Sequence, residues 1–97
     1  MNKLLFALSL AKKSGKLFVG FDAVKSAVIH GNAYIVLLAE DLSERTIKRV
    51  KCFCEDITDV HNTGLTQFEI SQVAGRLTGV LAVTDENLAV LARNALQ

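Results

Sequence analysis

The sequence predicts an α/β fold in which one sheet lies between two layers of helices. Helix-like and strand-like segments alternate along the whole chain, in the order αβαβαβαβα. The run AYIVLLA at residues 33–39 is apolar without interruption, as is typical of a strand buried on both faces. The chain has 97 residues, 51% of them hydrophobic, and no linker-like segment, so we expect a single compact domain over residues 1–97.

The first helix is expected over about residues 2–14. Gly15 suits its C-terminal cap, because glycine readily adopts a positive φ, and a short strand follows at residues 17–19. The apolar positions of the helix keep a helical spacing: Leu4, Leu8 and Ala11.

Two glycines bound the second helix, which is expected from about residue 21 to residue 30. Gly20 precedes it and Gly31 stops it. The strand at 33–39 follows directly and is the best candidate for the centre of the sheet. The apolar face of the helix consists of Phe21, Val24, Ala27 and Val28.

Ser43, with Glu44 in the first turn, predicts the start of a third helix. The basic residues of this helix are expected to face outward, and a weaker strand follows near residues 57–61. The apolar positions of the helix are Ile47, Val50 and Cys54.

Thr66 and Glu69 have the spacing of a capping box, which predicts the start of a fourth helix. A strand follows at residues 80–84, and Asp85 then caps a final helix. The buried stripe of the fourth helix is expected at Ile70, Val73, Ala74 and Leu77. The final helix continues through Leu88, Leu91, Ala92 and Ala95.

Secreted and membrane proteins are disfavoured. The N-terminal MNKLLFALSLAKK has the charge order of a secretion signal, but Lys12 and Lys13 stand where small cleavage-site residues belong. No other apolar stretch approaches the roughly 20 residues that a membrane span needs. Cys52 and Cys54 are too close for an unstrained disulfide within one helix or strand, so we expect free thiols. The sequence therefore predicts a soluble, cytoplasmic protein.

Motifs for catalysis, cofactors and metals are weak. SGK at residues 14–16 lacks the lead-in of a phosphate-binding loop, and no helix is expected to start at its lysine. Cys52, Cys54 and His61 fall short of four tetrahedral ligands, and the two cysteines diverge on a predicted helix. No serine lies in a nucleophile elbow. We therefore expect no enzymatic activity, no metal and no cofactor.

Asp41 and His30 have structural explanations. Asp41 follows a strand at a position that often holds active-site carboxylates in α/β proteins, but a turn or a helix start accounts for it better. His30 lies near the predicted C-terminus of the second helix, where a cation interacts favourably with the helix dipole.

The formal net charge of +1 does not by itself indicate a nucleic-acid binder. The cations are nevertheless clustered, and each cluster is either a solvated face or a binding surface. The first cluster consists of Lys12, Lys13, Lys16 and Lys25, with Asp22 among them. The second consists of Arg45, Lys48, Arg49 and Lys51.

Two glycine-flanked corners raise the question of a ligand. One is the helix start at Gly20, and the other is the loop from Gly75 to Gly79. Ordinary turn glycines account for both. An exposed helix N-terminus, however, carries unpaired N–H groups and partial positive charge, which suit an electron-rich ligand.

Two long segments of the sequence carry a resemblance to a known family. They are LSLAKKSGKLFVGFDAVKSAVIHGNAYIVLLAEDLSERTIKRV and GVLAVTDENLA. In combination they resemble the bacterial branch of the ribosomal protein L7Ae family, which are small RNA-binding proteins. The resemblance implies a three-layer α/β/α sandwich with a four-stranded mixed sheet, no enzymatic activity and binding to kink-turn RNA.

In that family RNA meets the start of the second helix, and Gly20 corresponds to the glycine before it. The family's Asn, Glu and Lys on the first turns correspond here to Asp22, Ala23 and Ser26. Ala23 cannot accept a hydrogen bond from guanine, and Ser26 does not reach as far as lysine. Lys25 is one position away but points about 100° around the helix. The base-reading groups are therefore incomplete.

The family also places a short segment with apolar character against an extruded nucleotide, which corresponds here to residues 76–78. Arg76 can stack on a base or bind a phosphate, and Leu77 offers an apolar surface. The RNA-contacting residues that the resemblance implies are Lys16, Gly20, Phe21, Asp22, Lys25, Ser26, Arg76, Leu77 and Thr78.

The leading interpretation is a non-catalytic protein, monomeric when free, that binds a kink-turn or similarly bent structured RNA of ribosomal or regulatory origin. It requires Gly20 and Leu77 to become neighbours on a cationic edge of the fold. The alternative is a protein-interaction module of the same fold that has lost RNA binding, which the missing base-reading groups favour. A third interpretation, the substrate-recognition domain of an RNA-modifying enzyme, needs an attached catalytic domain.

Overall fold

A computed structural model describes residues 2–96, which form five helices and four strands. In chain order these are α1 (Lys3–Lys13), β1 (Leu17–Val19), α2 (Phe21–Ile29), β2 (Ile35–Leu38), α3 (Glu44–Cys54), β3 (Val60–Asn62), α4 (Gln67–Ala74), β4 (Val80–Val83) and α5 (Glu86–Ala95). The predicted alternation of helices and strands is confirmed.

The four strands form one mixed sheet in the order β1-β4-β2-β3. β4 runs antiparallel to both of its neighbours, whereas β2 and β3 are parallel. Gly20, which follows β1, therefore lies at the end of the sheet where β4 starts, and its N–H donates to the carbonyl of Val80. The opposite end carries Lys16, Tyr34 and Thr84.

Helices cover both faces of the sheet, so the predicted three-layer sandwich is confirmed. All residues of β2 and β4 are buried, because side chains of each strand pack alternately into the two helical layers. The layer of α1, α4 and α5 buries Leu4, Ala7, Leu8, Ala11, Ile70, Ala74, Ala89 and Ala92 against one face. The layer of α2 and α3 buries Val24, Val28, Val50 and Cys54 against the other.

Side chains cap the N-termini of four of the five helices within residues 2–96. Asn2 caps α1, and the predicted caps Ser43 and Asp85 start α3 and α5. Thr66 and Glu69 form the predicted capping box at α4. The exception is α2, whose N-cap is a glycine.

The predicted third strand is displaced. A strand at residues 57–61 is wrong in its bounds, because β3 covers Val60–Asn62. The N–H groups of Ile57 and Thr58 both donate to the carbonyl of Cys54 and so complete the end of α3 instead of joining the sheet.

The predicted buried stripe of α4 extends too far. Gly75 takes a left-handed conformation with φ of +83° and ends the helix after Ala74. Leu77 therefore lies outside the helix and is 69% exposed, so its assignment to the buried stripe is wrong.

Asp41 and His30 both make structural hydrogen bonds. Asp41 Oδ1 accepts a hydrogen bond from the N–H of Gln67 at 3.0 Å, so it supports the start of α4 and not that of the adjacent α3. His30 Nδ1–H donates to the carbonyl of Ser26 at 2.7 Å, at the C-terminus of α2.

Candidate nucleic-acid interface

The start of α2 and the loop between α4 and β4 meet at one end of the sheet. The guanidinium of Arg76 donates a hydrogen bond to the carbonyl of Val19, 57 residues earlier in the chain. A methyl group at Gly20 would lie 2.5 Å from Arg76 Nη2, so the guanidinium packs directly against this glycine. The fold thus brings together two corners that are far apart in the sequence.

The backbone at Gly20 requires glycine. Its φ of +101° and ψ of 156° belong to a region that residues with a Cβ rarely adopt. No side chain within residues 2–96 caps α2, so the N–H groups of its first turn are left open to an incoming acceptor. The partial positive charge of the helix end is directed toward the same place.

Arg49 of α3 is fixed beside the start of α2. Its guanidinium carbon lies 4.3 Å from the ring centroid of Phe21, which is cation–π geometry. The Phe21 ring is itself held edge-on against Phe53, with a centroid separation of 5.4 Å. Two aromatic rings therefore position a cation at Phe21, the first residue of α2.

Lys12 adds a third cation from α1. Its Nζ donates to the carbonyl of Ala74 at 2.9 Å and lies 3.3 Å from the position of a Cβ on Gly75. The ammonium thus satisfies the C-terminal end of α4 and lies beside the loop that carries Arg76. We call the surface formed by these residues the cationic rim: Lys12, Gly20, Phe21, Arg49, Gly75, Arg76 and Leu77.

The three cations of the rim contact uncharged partners. Arg76 and Lys12 bond to backbone carbonyls, and Arg49 lies on an aromatic ring. Within residues 2–96 the ion pairs are those of Asp59 with Arg93 and with His61, and they lie away from the rim. The positive charge of the rim is therefore not neutralised by a carboxylate in direct contact.

Within the loop, Leu77 and Thr78 have different environments. Leu77 is 69% exposed and presents an apolar side chain to solvent. Thr78 is buried, and its hydroxyl donates to the carbonyl of Val80 and accepts from the N–H of the same residue. Leu77 is thus available to a ligand, whereas the Thr78 side chain shapes the turn.

Three further residues of the set that the sequence predicts lie on the exposed side of α2: Asp22, Lys25 and Ser26. The hydroxyl of Ser26 is 3.4 Å from His30 Nδ1, one turn further from Gly20. Ala23 is also exposed and has no polar side-chain atom. The α2 side of the interface therefore offers backbone N–H groups and one carboxylate, Asp22, in its first turn.

Lys16 is not brought to the cationic rim. It precedes β1, whereas Gly20 follows it, so an extended strand separates the two residues by about 13 Å. The carbonyl of Lys16 accepts hydrogen bonds from the N–H and the hydroxyl of Thr84, which fixes it at the opposite end of the sheet.

Comparison with known proteins places the fold in a family. The sequence profile of the ribosomal protein L7Ae/L30e/S12e/Gadd45 family matches residues 2–92, which include every residue of the cationic rim. The chain belongs to this family. The resemblance that the sequence carries is thereby confirmed.

Relatives include two proteins named as RNA-binding. RNA-binding protein YlxQ of Bacillus subtilis (strain 168) is 33% identical over 87 residues, which cover 84% of this chain and 83% of the relative. A protein of unknown function from Bacillus halodurans C has a TM-score of 0.90 and 24% identity over 99% of this chain and 98% of its own. A Giardia lamblia 15.5kD RNA binding protein has a TM-score of 0.77 and 16% identity, covering 97% and 82%. At these identities the two solved structures establish the fold alone.

Sequence reasoning did not single out Arg49 or Lys12 as part of this interface. Both belong to basic clusters that are equally consistent with a solvated face. The available signal for Arg49 was its position on the outward side of an amphipathic helix, but that signal does not reveal Phe21 as its partner. Only the packing of α3 against α2 does so.

No group of three or more histidine, cysteine, aspartate or glutamate residues within residues 2–96 has the arrangement of a metal site. Cys52 and Cys54 are both free thiols, as predicted, and burial raises the pKa of Cys54 to about 11. In the same part of the chain, no helix has the length and apolar character that a membrane span requires.

Proposed function

We propose that the protein is a non-catalytic RNA-binding protein that uses the cationic rim to bind a sharply bent duplex, such as a kink-turn. The observation that carries the proposal is the contact of Arg76 with Val19 and Gly20, which joins the two corners into one surface. Membership of the family and the RNA-binding relatives support the same class of ligand. We further propose that the free protein is monomeric and acts in the cytoplasm on ribosomal or regulatory RNA.

Charge and backbone geometry suit a bent polynucleotide. A bend brings phosphates of two strands close together, and Lys12, Arg49 and Arg76 supply cations that have no carboxylate partner among residues 2–96. The open N–H groups at the start of α2 supply further donors to phosphate oxygens or base edges. Leu77 provides an apolar surface for a base that the bend expels from the stack.

Recognition is expected to depend on shape more than on base sequence. Ala23 lacks any acceptor for a guanine edge, and the Ser26 hydroxyl is directed to the next turn of α2. Contacts to the phosphate backbone position a protein on RNA without reading its sequence. We therefore expect a bend to matter more than the identity of the base pairs beside it.

The test compares a kink-turn duplex with a straight duplex of equal length and base composition, by gel shift at several salt concentrations. We expect tighter binding to the kink-turn. Neutralisation of about three to five phosphates gives a slope of log K against log salt of roughly −2 to −5. Equal affinity for the two duplexes would contradict recognition of the bend.

A protein-interaction module is the second candidate, because the exposed base-reading positions of α2 are chemically poor at Ala23 and Ser26. This candidate predicts that ribonuclease treatment of a cell extract leaves the captured partners unchanged, and that Arg76→Glu does so as well. Partners that disappear after ribonuclease treatment would contradict it and support the RNA-binding function.

A further inference from the structure

A second candidate surface lies at the end of the sheet opposite the cationic rim. An open cavity of about 370 Å³ lies there, lined by residues that follow α1, α2 and β4 and by Phe18 of β1. Its lining includes Lys16 and Phe18 from β1 and its lead-in, Thr84 after β4, and Asn32 and Tyr34 before β2. The proposed function leaves this cavity without a role.

Two aromatic side chains of this cavity are partly open to solvent: Phe18 is 37% exposed and Tyr34 is 47% exposed. Leu17 and Val19 pack toward α1, α4 and α5, so Phe18 between them points to the other face of the sheet, where α2 lies. Tyr34 stands at the start of β2, and β4 separates β2 from β1. The two strands are about 10 Å apart, so the rings flank the cavity.

The other lining groups are polar or small. Lys16 is the only charged residue of the lining, and no carboxylate within residues 2–96 pairs with its ammonium. Asn32 supplies an amide and Thr84 a hydroxyl, while Gly15 and Gly31 contribute no side chain to the lining. Aromatic faces beside a free cation and an amide suit a nucleobase and its phosphate better than an apolar peptide.

We propose that this cavity binds one unpaired nucleotide of the same RNA that the rim holds, with the base against Tyr34 or Phe18 and the phosphate on Lys16. The proposal rests on the proposed function, because it takes the ligand class from there. The span also fits, since β1 connects the two surfaces over about 13 Å. A single strand that leaves a duplex held at the rim can therefore reach the cavity.

The experiment measures binding of a kink-turn duplex with blunt ends and of the same duplex with a short single-stranded uridine extension on either 5′ or 3′ terminus. We expect one extension to increase affinity about tenfold, because stacking of one base on an aromatic side chain has that order of effect. Tyr34→Leu and Phe18→Leu should reduce this gain and leave the affinity for the blunt duplex unchanged. Phe6→Leu is the matched control, because Phe6 is an exposed aromatic residue of α1 outside the cavity.

The outcomes separate the two proposals. If the blunt kink-turn binds but no extension increases its affinity, the cavity is not an RNA contact and the proposed function stands. If neither RNA binds, both proposals are wrong. A gain that Tyr34→Leu, Phe18→Leu and Lys16→Ala leave intact also overturns the role of the cavity. If uridine monophosphate binds by itself with a free energy as favourable as that which the extension adds, the cavity is a site for a free nucleotide instead.

Photocrosslinking gives a readout that does not depend on stability. With 5-iodouridine in the extension, irradiation should attach the RNA at Tyr34 or Phe18, with the crosslinked residue itself assigned by fragmentation in the mass spectrometer. Attachment only at residues outside the cavity lining, those of the cationic rim such as Phe21 included, would overturn the proposal.

Discussion

Arg76 and Arg93 perform the same backbone task at opposite ends of the sheet but differ in charge neutralisation. Arg76 donates to the carbonyl of Val19, and Arg93 donates to the carbonyl of Tyr34. Arg93 also binds the carboxylate of Asp59 at 2.8 Å. Arg76 has no carboxylate partner within residues 2–96.

This difference in carboxylate pairing indicates which arginine is available to a ligand. An arginine that is already paired with a carboxylate gains little from a phosphate, because it must give up one anion to bind another. An arginine on a carbonyl keeps its full charge for an anion. Arg93 thus links α5 to the sheet and has a structural role. Arg76 links the loop between α4 and β4 to β1 and is also a candidate phosphate contact.

The largest expected effect is the loss of RNA affinity in Arg76→Glu. Hydrogen bonds to charged groups contribute about 1.5–3 kcal/mol, so we expect affinity for a kink-turn to fall by about ten- to one-hundredfold. Gel shift at fixed salt measures it, and circular dichroism checks that the variant is folded. Arg93→Gln is the control and should leave the affinity unchanged. Equal losses of affinity in the two variants would contradict the distinction between the two arginines.

Gly20→Ala is expected to lower the free energy of unfolding by about 2 kcal/mol, because it forces a Cβ into a sparsely populated backbone region. The new methyl group would also displace the Arg76 guanidinium, which lies 2.5 Å from its position. Gly31→Ala is the matched control, since its φ is also positive but no atom lies within 4 Å of the added methyl group. Urea denaturation that shows the same loss for both variants would contradict the contact with Arg76.

Arg49→Ala is expected to weaken RNA binding about threefold, since it removes one cation that stacks on Phe21 at the rim. Fluorescence anisotropy with a labelled kink-turn measures the change. Arg45→Ala is the control: it removes a cation from the same helix but keeps the Arg49 guanidinium over the Phe21 ring. If Arg45→Ala has the larger effect, the RNA lies on a different part of α3.

The smallest effect, a change in thermal stability, is expected from a substitution of Asp59, which lies away from the rim. Burial alone would raise the pKa of Asp59, but hydrogen bonds and charge from Arg93 and His61 outweigh it and hold the pKa below its ordinary value. A carboxylate with a lowered pKa stabilises the folded state at pH values above its ordinary pKa. This stabilisation is lost as the pH falls through the lowered pKa. Asp59→Asn should therefore reduce the melting temperature slightly at pH 7.

The difference between wild type and Asp59→Asn should disappear in strong acid, where the carboxylate of the wild type is protonated. Thermal melts followed by circular dichroism at neutral pH and at pH values below the ordinary aspartate pKa measure it. RNA affinity should not change. A reduced affinity would show that neutralisation of Arg93 matters for the ligand.

Local signals in the sequence were sufficient for most of the fold. The capping box at Thr66 and the caps at Ser43 and Asp85 depend on residues within one helical turn, so their spacing alone predicts them. The apolar run around β2 needs no knowledge of its neighbours. By contrast, the bounds of β3 depend on which N–H groups after α3 donate to the carbonyl of Cys54 at the end of that helix. Sequence spacing does not specify this.

The candidate site was less predictable because its contacts join distant parts of the chain. Arg76 and Val19 are 57 residues apart, and Arg49 reaches Phe21 only through the packing of two helices. Lys16 illustrates the opposite problem, since proximity to Gly20 in the sequence suggests a common surface. One extended strand is enough to place the two residues at opposite ends of the sheet.

A guanidinium has five N–H donors, and the bond from Arg76 to Val19 uses one nitrogen of the fork. The remaining donors can engage an incoming oxyanion while that bond persists. Folding has then already restricted the rotamers of the side chain, so association with a ligand loses less conformational entropy than it would with a freely rotating lysine.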